Sequence, residues 1–214
     1  MSRSTVALVP LRAPGAGKTR LSGVLSATER AALAGAMLAD VCHALEQAPI
    51  DDLVVVAGGE TAAGAASALG VEVLLDPPGV RSLDAAIRAA QHRLGAVDAL
   101  LVVTADLPRL TADDVRTVLD QDAEVVVAPT DDGGTGGLLR RPGDAIATAY
   151  GPNSARRHQA EAQRRGRRLA TVRTVGFATD VDTLADLTGL ASGPVGPTTA
   201  ALLAGWSAHD ADAG

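Results

Sequence analysis

Aromatic side chains are almost missing: there is one Phe, one Tyr and one Trp among 214 residues. The interior must therefore be filled with Ala, Val and Leu, which the 47% hydrophobic content supplies. Cysteine is as scarce. Cys42 alone cannot form an internal disulfide, which points to a reducing cytoplasm, and its Ala/Leu-rich helical setting reads as a buried, inert thiol. No apolar run approaches the roughly 18 residues that span a bilayer. Residues 1–12 lack the basic start and long apolar centre of a signal peptide. Basic charge is in deficit: 19 Lys and Arg against 25 Asp and Glu leave a net charge of −6. That balance argues against a nucleic-acid or anionic-membrane partner. Lysine is the rarest cation, Lys18 standing alone beside 18 arginines.

What is present is an alternation of short apolar runs with helical stretches. Residues 5–9, 53–57, 71–75, 99–103 and 124–128 read as strands. Between them, 26–46, 61–69, 82–94 and 111–119 read as helices, the first opened by the capping box Ser26-Ala-Thr-Glu29. Such alternation predicts an α/β fold with a doubly wound parallel sheet. The run 99–103 has the all-apolar character of a strand covered on both faces, and Pro108 obliges it to stop. Asp106 is thereby delivered to the carboxyl edge, where ligands sit in open α/β sheets. The alternative is that it merely caps the turn before the next helix.

The loop after the first strand runs from Pro10 to Arg20. Its Gly-Ala-Gly-Lys-Thr looks like the end of a P-loop, but the motif needs glycine at position 12, which is Arg12. The spacing excludes that motif. What remains is a loop able to wrap phosphates through backbone N–H groups, Lys18 as a compact cation, and Arg12 or Arg20 as forks. Asp84, in the first turn of the helix 82–94, either complements the macrodipole or accepts from N1–H and the amine of a guanine. Four glycines between 133 and 137 permit close backbone approach to a ligand, or make a plain hairpin. After Gly151-Pro152, either Asn153 or Ser154 caps a helix whose start suits an anion. Arg156 and Arg157 lie close to that start, whereas Arg164, Arg165, Arg167 and Arg168 read as a solvated face. Residues 173–178 read as a further strand delivering Asp180 and Asp182, which on a strand end would point the same way toward a shared cation. Asp-x-Asp also occurs in haloacid dehalogenases, but there it follows the first strand with threonine four residues on; here Thr183 is three on, near the C-terminus. The tail from Ala191 carries no evident chemistry.

Carboxylates at strand ends, a Gly/Lys loop, a glycine turn and an anion-binding helix start are the parts needed for nucleotidyl transfer. An anionic acceptor reaches the α-phosphorus of a nucleoside triphosphate only if Mg2+ and basic groups neutralise the charge and the leaving pyrophosphate is held. A phosphate acceptor is already a nucleophile and requires no general base. That fits a chain with no convincing catalytic His, Ser or Cys.

Taken in order, Lys18-Thr-Arg-Leu21, Thr104-Ala-Asp-Leu-Pro108, Gly134-Thr135-Gly-Gly-Leu138, Gly151-Pro-Asn-Ser-Ala-Arg156 and Asp180-Val-Asp-Thr183 closely resemble the guanylyltransferases of coenzyme F-420 biosynthesis, which activate 2-phospho-L-lactate or phosphoenolpyruvate with GTP. The resemblance implies a Rossmann-like nucleotide-diphospho-sugar transferase fold, with a mainly parallel central sheet flanked by helices and a single domain over 1–214. It implies Mg2+ as cofactor, held by Asp106 and Asp180 with Asp182 beside them, and Asp106, Asp180 and Lys18 as the catalytic set. Lys18, Arg20 and Asp84 would face the nucleotide, and Thr135, Gly151 and Ser154 the phosphorylated three-carbon acid. The partners are then GTP and that acid, in a cytoplasmic enzyme for which a homodimer is left open. GC-type composition, shared with actinobacterial phosphoenolpyruvate users, favours phosphoenolpyruvate over 2-phospho-L-lactate. Among rivals, molybdopterin guanylyltransferases carry a Gly-Gly-x-Ser-x-Arg-Met-Gly first loop that Pro10-Leu-Arg-Ala-Pro14 does not match. A non-catalytic nucleotide-binding module and a metal-dependent phosphohydrolase are the others.

Overall fold

The computed structural model describes residues 4–12 and 19–212. The chain runs β1 (Thr5–Leu11), α1 (Ala27–Glu46), β2 (Asp52–Ala57), α2 (Glu60–Ser67), β3 (Glu72–Leu75), α3 (Leu83–Leu94), β4 (Ala99–Val103), α4 (Ala112–Leu119) and β5 (Val125–Pro129). It continues with β6 (Thr135–Arg140), α5 (Ser154–Arg164), β7 (Leu169–Thr171), α6 (Val175–Ala178), α7 (Leu184–Gly189) and α8 (Pro197–Asp212). The strands form one sheet in the order β3-β2-β1-β4-β6-β5-β7. All but β6 run the same way; β6 is antiparallel to both β4 and β5.

Alternation along each strand divides the core in two, because successive side chains leave opposite faces. Ala7 and Val9 of β1 join Leu101 and Val103 of β4 under α1 and α4, while Val6, Leu8, Leu100 and Val102 pack under α3 and α5. The glycine turn of the sequence is largely strand: β6 is buried along its whole length and sits between β4 and β5. The predicted strand over 173–178 is not formed. The last strand is β7, and Val175–Ala178 is a single helical turn. The cause is tertiary: Phe177 is fully buried against β6, where a Cβ on Gly136 would collide with the Phe177 carbonyl and one on Gly137 would lie 2.6 Å from its ring. These two glycines serve close packing of Phe177 rather than approach to a ligand.

The caps follow the sequence. Ser26 with Glu29, and Thr111 with Asp114, form reciprocal capping boxes, and Ser82 caps α3. Cys42 is buried, and burial first, then Glu46, pushes its thiol up to about 12, so it stays protonated and inert. The tail has a structural role: Leu202, Leu203 and Trp206 of α8 pack on Leu33 and Met37 of α1 and on Val181. Among the described residues no helix is long and apolar enough to cross a membrane.

Candidate functional site

Because β1 to β5 run in one direction, their carboxyl ends share one edge of the sheet, and the order reverses on the two sides of β1, the point where open α/β sheets bind ligands. Asp76 follows β3, Asp106 follows β4, and Asp131 and Asp132 follow β5. β6 begins at this same edge, since Val103 is paired with Gly137 and Pro129 with Thr135. Two backbone bonds bring the Asp180 segment here: Val181 N–H donates to the Asp106 carbonyl at 3.2 Å, and Asp131 N–H to that of Ala178 at 2.9 Å.

Asp180 is half-buried, and its carboxyl is pushed up to about 7, first by burial and then by the charges of Asp106, Asp132 and Asp182. A cleft of about 380 Å3 is lined by Asp131, Asp132, Asp180, Asp182, Arg20 and Arg109. Arg20, expected on the nucleotide, therefore stands at the acidic cleft; Lys18 lies outside the described residues. Asp180 and Asp182 are not the strand-end pair of the sequence reading. They follow a helical turn, and the Asp182 N–H donates to Asp186 Oδ2 (3.1 Å) as the chain turns into α7. Nor do Asp106, Asp180 and Asp182 make a ready three-ligand cage: among the described residues no three His, Cys, Asp or Glu side chains are disposed to hold a metal. Mg2+ makes no such demand, since it is commonly held by one or two carboxylates and completed by water and substrate phosphates. A half-buried carboxylate crowded by others is a donor set suited to such a hard cation.

On the far side of β6 lies a hydroxyl pair. Thr135 Oγ1 and Ser154 Oγ are 2.9 Å apart and both residues are buried. His158, one turn along α5, places Nδ1 3.1 Å from Thr135 Oγ1 and accepts at Nε2 from Ala149 N–H at 2.8 Å. Burial holds its ring well below the usual range, at about 4. The helix start is less open than expected. Asn153 is the N-cap in the left-handed region (φ 55°) with no side-chain cap, Ser154 N–H donates to the Gly151 carbonyl, and Ala155 N–H to that of Gly133. Gly151 itself needs φ 111°, which favours glycine. Arg157 Nη2 donates to the Tyr150 carbonyl at 2.8 Å, and Asp84 Oδ1 accepts from Tyr150 N–H at 2.9 Å. Asp84, open between complementing the macrodipole and reading guanine, thus has one carboxylate oxygen bracing the turn that leads into Gly151. Arg164 and Arg165 pair with Glu161 on the same helix, Arg167 with Glu124, and Arg168 with Asp122.

Two further groups escaped the sequence reading. Asp76 lines a cleft of about 210 Å3 with Leu11, Arg12, Val56, Val80 and Leu83, at the ends of β1, β2 and β3. Its Oδ1 is buried without a hydrogen-bond partner, and burial raises its carboxyl against the opposing pull of Arg12. The signal that marked Asp106, a lone acid soon after an apolar strand, marks Asp76 as well. His158 gave no such signal, because a histidine on a helix is unremarkable until its neighbours are known.

The family model described as guanylyl transferase CofC like matches residues 5–196. A phosphoenolpyruvate guanylyltransferase of Sphaerobacter thermophilus is 38% identical over 204 residues, covering 92% of this chain and 97% of that protein. A 2-phospho-L-lactate guanylyltransferase of Methanothermobacter thermautotrophicus is 34% identical over 186 residues, with 86% and 82% covered. Among solved structures, one from Desulfovibrio desulfuricans G20 described as a nucleotide-diphospho-sugar transferase superposes with a TM-score of 0.77, covering 97% of this chain and 96% of that one. At 20% identity this likeness bears on the fold alone.

Proposed function

The chain belongs to the CofC-like guanylyl transferase family, and on that premise we propose that it transfers GMP from GTP to the phosphate of phosphoenolpyruvate in coenzyme F-420 biosynthesis. An oxygen of the acceptor phosphate forms a bond to the α-phosphorus as the bond from that phosphorus to the bridging β-phosphate oxygen breaks. Pyrophosphate leaves, and enolpyruvyl-diphosphoguanosine is the other product. The observation that carries this reading is Asp180, half-buried beside Asp106, where the next residue's amide, Val181 N–H, donates to the Asp106 carbonyl, on the same sheet edge as the Thr135–Ser154 pair.

Asp106 and Asp180, with Asp182 beside them, are the groups to hold Mg2+, which when bound would neutralise the triphosphate and polarise the α-phosphoryl group. Arg20 lines the cleft and would meet phosphate oxygens there; Lys18, outside the described residues, is retained as a nucleotide-binding cation on the family resemblance alone. Thr135, Gly151 and Ser154 would orient the acid from the other side of β6. Asp76 would read the base: a carboxylate oxygen lacking a donor suits guanine, which offers adjacent N1–H and amine donors where adenine does not. No group is needed to take a proton from the acceptor, because a phosphate at neutral pH is already an oxyanion. Several relatives named phosphoenolpyruvate guanylyltransferase, at 38%, 37% and 35% identity, support phosphoenolpyruvate, with 2-phospho-L-lactate, named for a relative at 34%, as the alternative.

The test is pyrophosphate release from GTP and Mg2+ with each acid in turn. Release is expected with phosphoenolpyruvate and should cease when the divalent cation is chelated. Faster turnover of 2-phospho-L-lactate transfers the assignment to that acid, and release with neither acid overturns the reading.

A further inference from the structure

His158 is fully buried and sits one helical turn after Ser154, on the same face of α5. A backbone amide can only donate, so the Ala149 N–H, 2.8 Å away, requires a lone pair on Nε2. A ring hydrogen at that position would set donor against donor. The ring is therefore neutral with its hydrogen on Nδ1, and Nδ1–H donates to Thr135 Oγ1.

That tautomer sets what the hydroxyl pair can do. The ring, Thr135 and Ser154 bring one hydrogen each and make two contacts, 3.1 Å and 2.9 Å, each of which takes one hydrogen. One hydroxyl hydrogen is left over, whichever way the Thr135–Ser154 bond runs. With the other tautomer, Nδ1 would accept, both hydroxyl hydrogens would be used internally, and the pair would turn only lone pairs toward a ligand. Thr135 and Ser154 retain 4% and 1% of their surface, so bulk water gives the leftover hydrogen little alternative partnership. Ser154 N–H is already committed to the Gly151 carbonyl and Ala155 N–H to that of Gly133, so neither of these amides competes with the hydroxyl as a donor.

We propose that His158 is a positioning residue: held in one tautomer by the Ala149 amide, it makes the Thr135–Ser154 pair a fixed hydrogen-bond donor for an acceptor-only anion, the phosphate or carboxylate of the acid substrate. This rests on the reading of Thr135, Gly151 and Ser154 as the acid subsite. It goes beyond that reading in assigning the pair as donor and the acid as acceptor, and in naming the group that imposes this.

The first measurement needs no substitution. Nitrogen-15 NMR of the histidine rings in the whole protein should show His158 with hydrogen on Nδ1 and a bare Nε2 at neutral pH; hydrogen on Nε2 overturns the proposal. The second is steady-state kinetics of His158→Phe, which keeps a planar ring and removes both nitrogens. The KM for phosphoenolpyruvate should rise about tenfold, the loss expected when a bond to a charged group is misaligned, while that for GTP stays within about twofold. Equal rises in both, or no change in either, overturn it. If the Phe variant does not fold, the tautomer result decides. If the wild type releases no pyrophosphate with any phosphorylated acid, the functional reading fails, and the ring tautomer is still measured independently.

Discussion

Asp180 and Asp76 are both carboxylates placed where ionisation is disfavoured, and each leads to a test. A carboxyl raised in the folded state, as Asp180 is to about 7, stabilises the fold at low pH and loses that contribution as pH rises toward and through 7. At pH 8 without divalent cations, Asp180→Asn should therefore raise Tm, by the equivalent of roughly 1–2 kcal/mol once solvent screening is allowed for. The same variant should lose at least about a hundredfold in pyrophosphate release, since the cation is to be held there. Mg2+ should lift the Tm of the wild type and not that of the variant; a lower Tm for the variant without metal, or retained turnover, removes Asp180 from the cation site. For Asp76, the discriminating probe is inosine triphosphate, which lacks the amine of guanine. Asp76→Asn places a donor where an acceptor stood and should narrow the preference for GTP over inosine triphosphate, read as a ratio of kcat/KM, by about tenfold or more. An unaltered ratio excludes Asp76 from base reading. Asp84 was one candidate for that role in the sequence, beside complementing the macrodipole, because a first-turn carboxylate at the strand edge is placed well for it. Its bond to Tyr150, 66 residues away, is invisible without the fold.

Helices and strands were legible wherever their signals were local. Capping boxes join residues three apart, so Ser26–Glu29 is complete within one turn of chain and appears as read, while the helix read from residue 111 opens on a second box, Thr111 with Asp114. Residues 173–178 had no such signal. A short apolar run cannot be assigned to helix or strand by periodicity alone, and here the choice is made by Phe177 entering the space above Gly136 and Gly137. The C-terminal helix shows the same dependence. Asp40 on α1 is 3% exposed and accepts from Thr198 N–H at 2.9 Å and Thr199 N–H at 2.8 Å, capping α8 from the far side of the sequence. Asp40→Ala should cost about 2–3 kcal/mol, as two amides lose a charged acceptor, seen as a lower Tm with readier proteolysis within α8. An unchanged Tm would mean that the contacts of Leu202, Leu203 and Trp206 hold α8 by themselves.

At the scale of the molecule, both poles of the sheet carry clefts, and chemistry separates them. A cleft of about 820 Å3 lies at the amino ends of β1, β4 and β5, yet its arginines are committed: Arg141 to the Leu119 and Gln121 carbonyls, Arg168 to Asp122. The carboxyl pole holds the crowded Asp180, the orphaned Asp76 oxygen and the polarised hydroxyl pair. The chain alone determined the class of fold and which segments matter, because strand alternation, proline stops and acids after strands are properties of neighbours in sequence. Only the tertiary structure decided the order of the sheet, with β6 inserted between β4 and β5, and thereby which hydroxyls, imidazole and carboxylates meet. The reason is physical: a hydrogen-bond direction or a shifted pKa arises from groups within a few ångströms of each other, and here those groups come from β3, β4, β6, α5 and the segment after α6. Their separation along the chain says nothing of their distance in space.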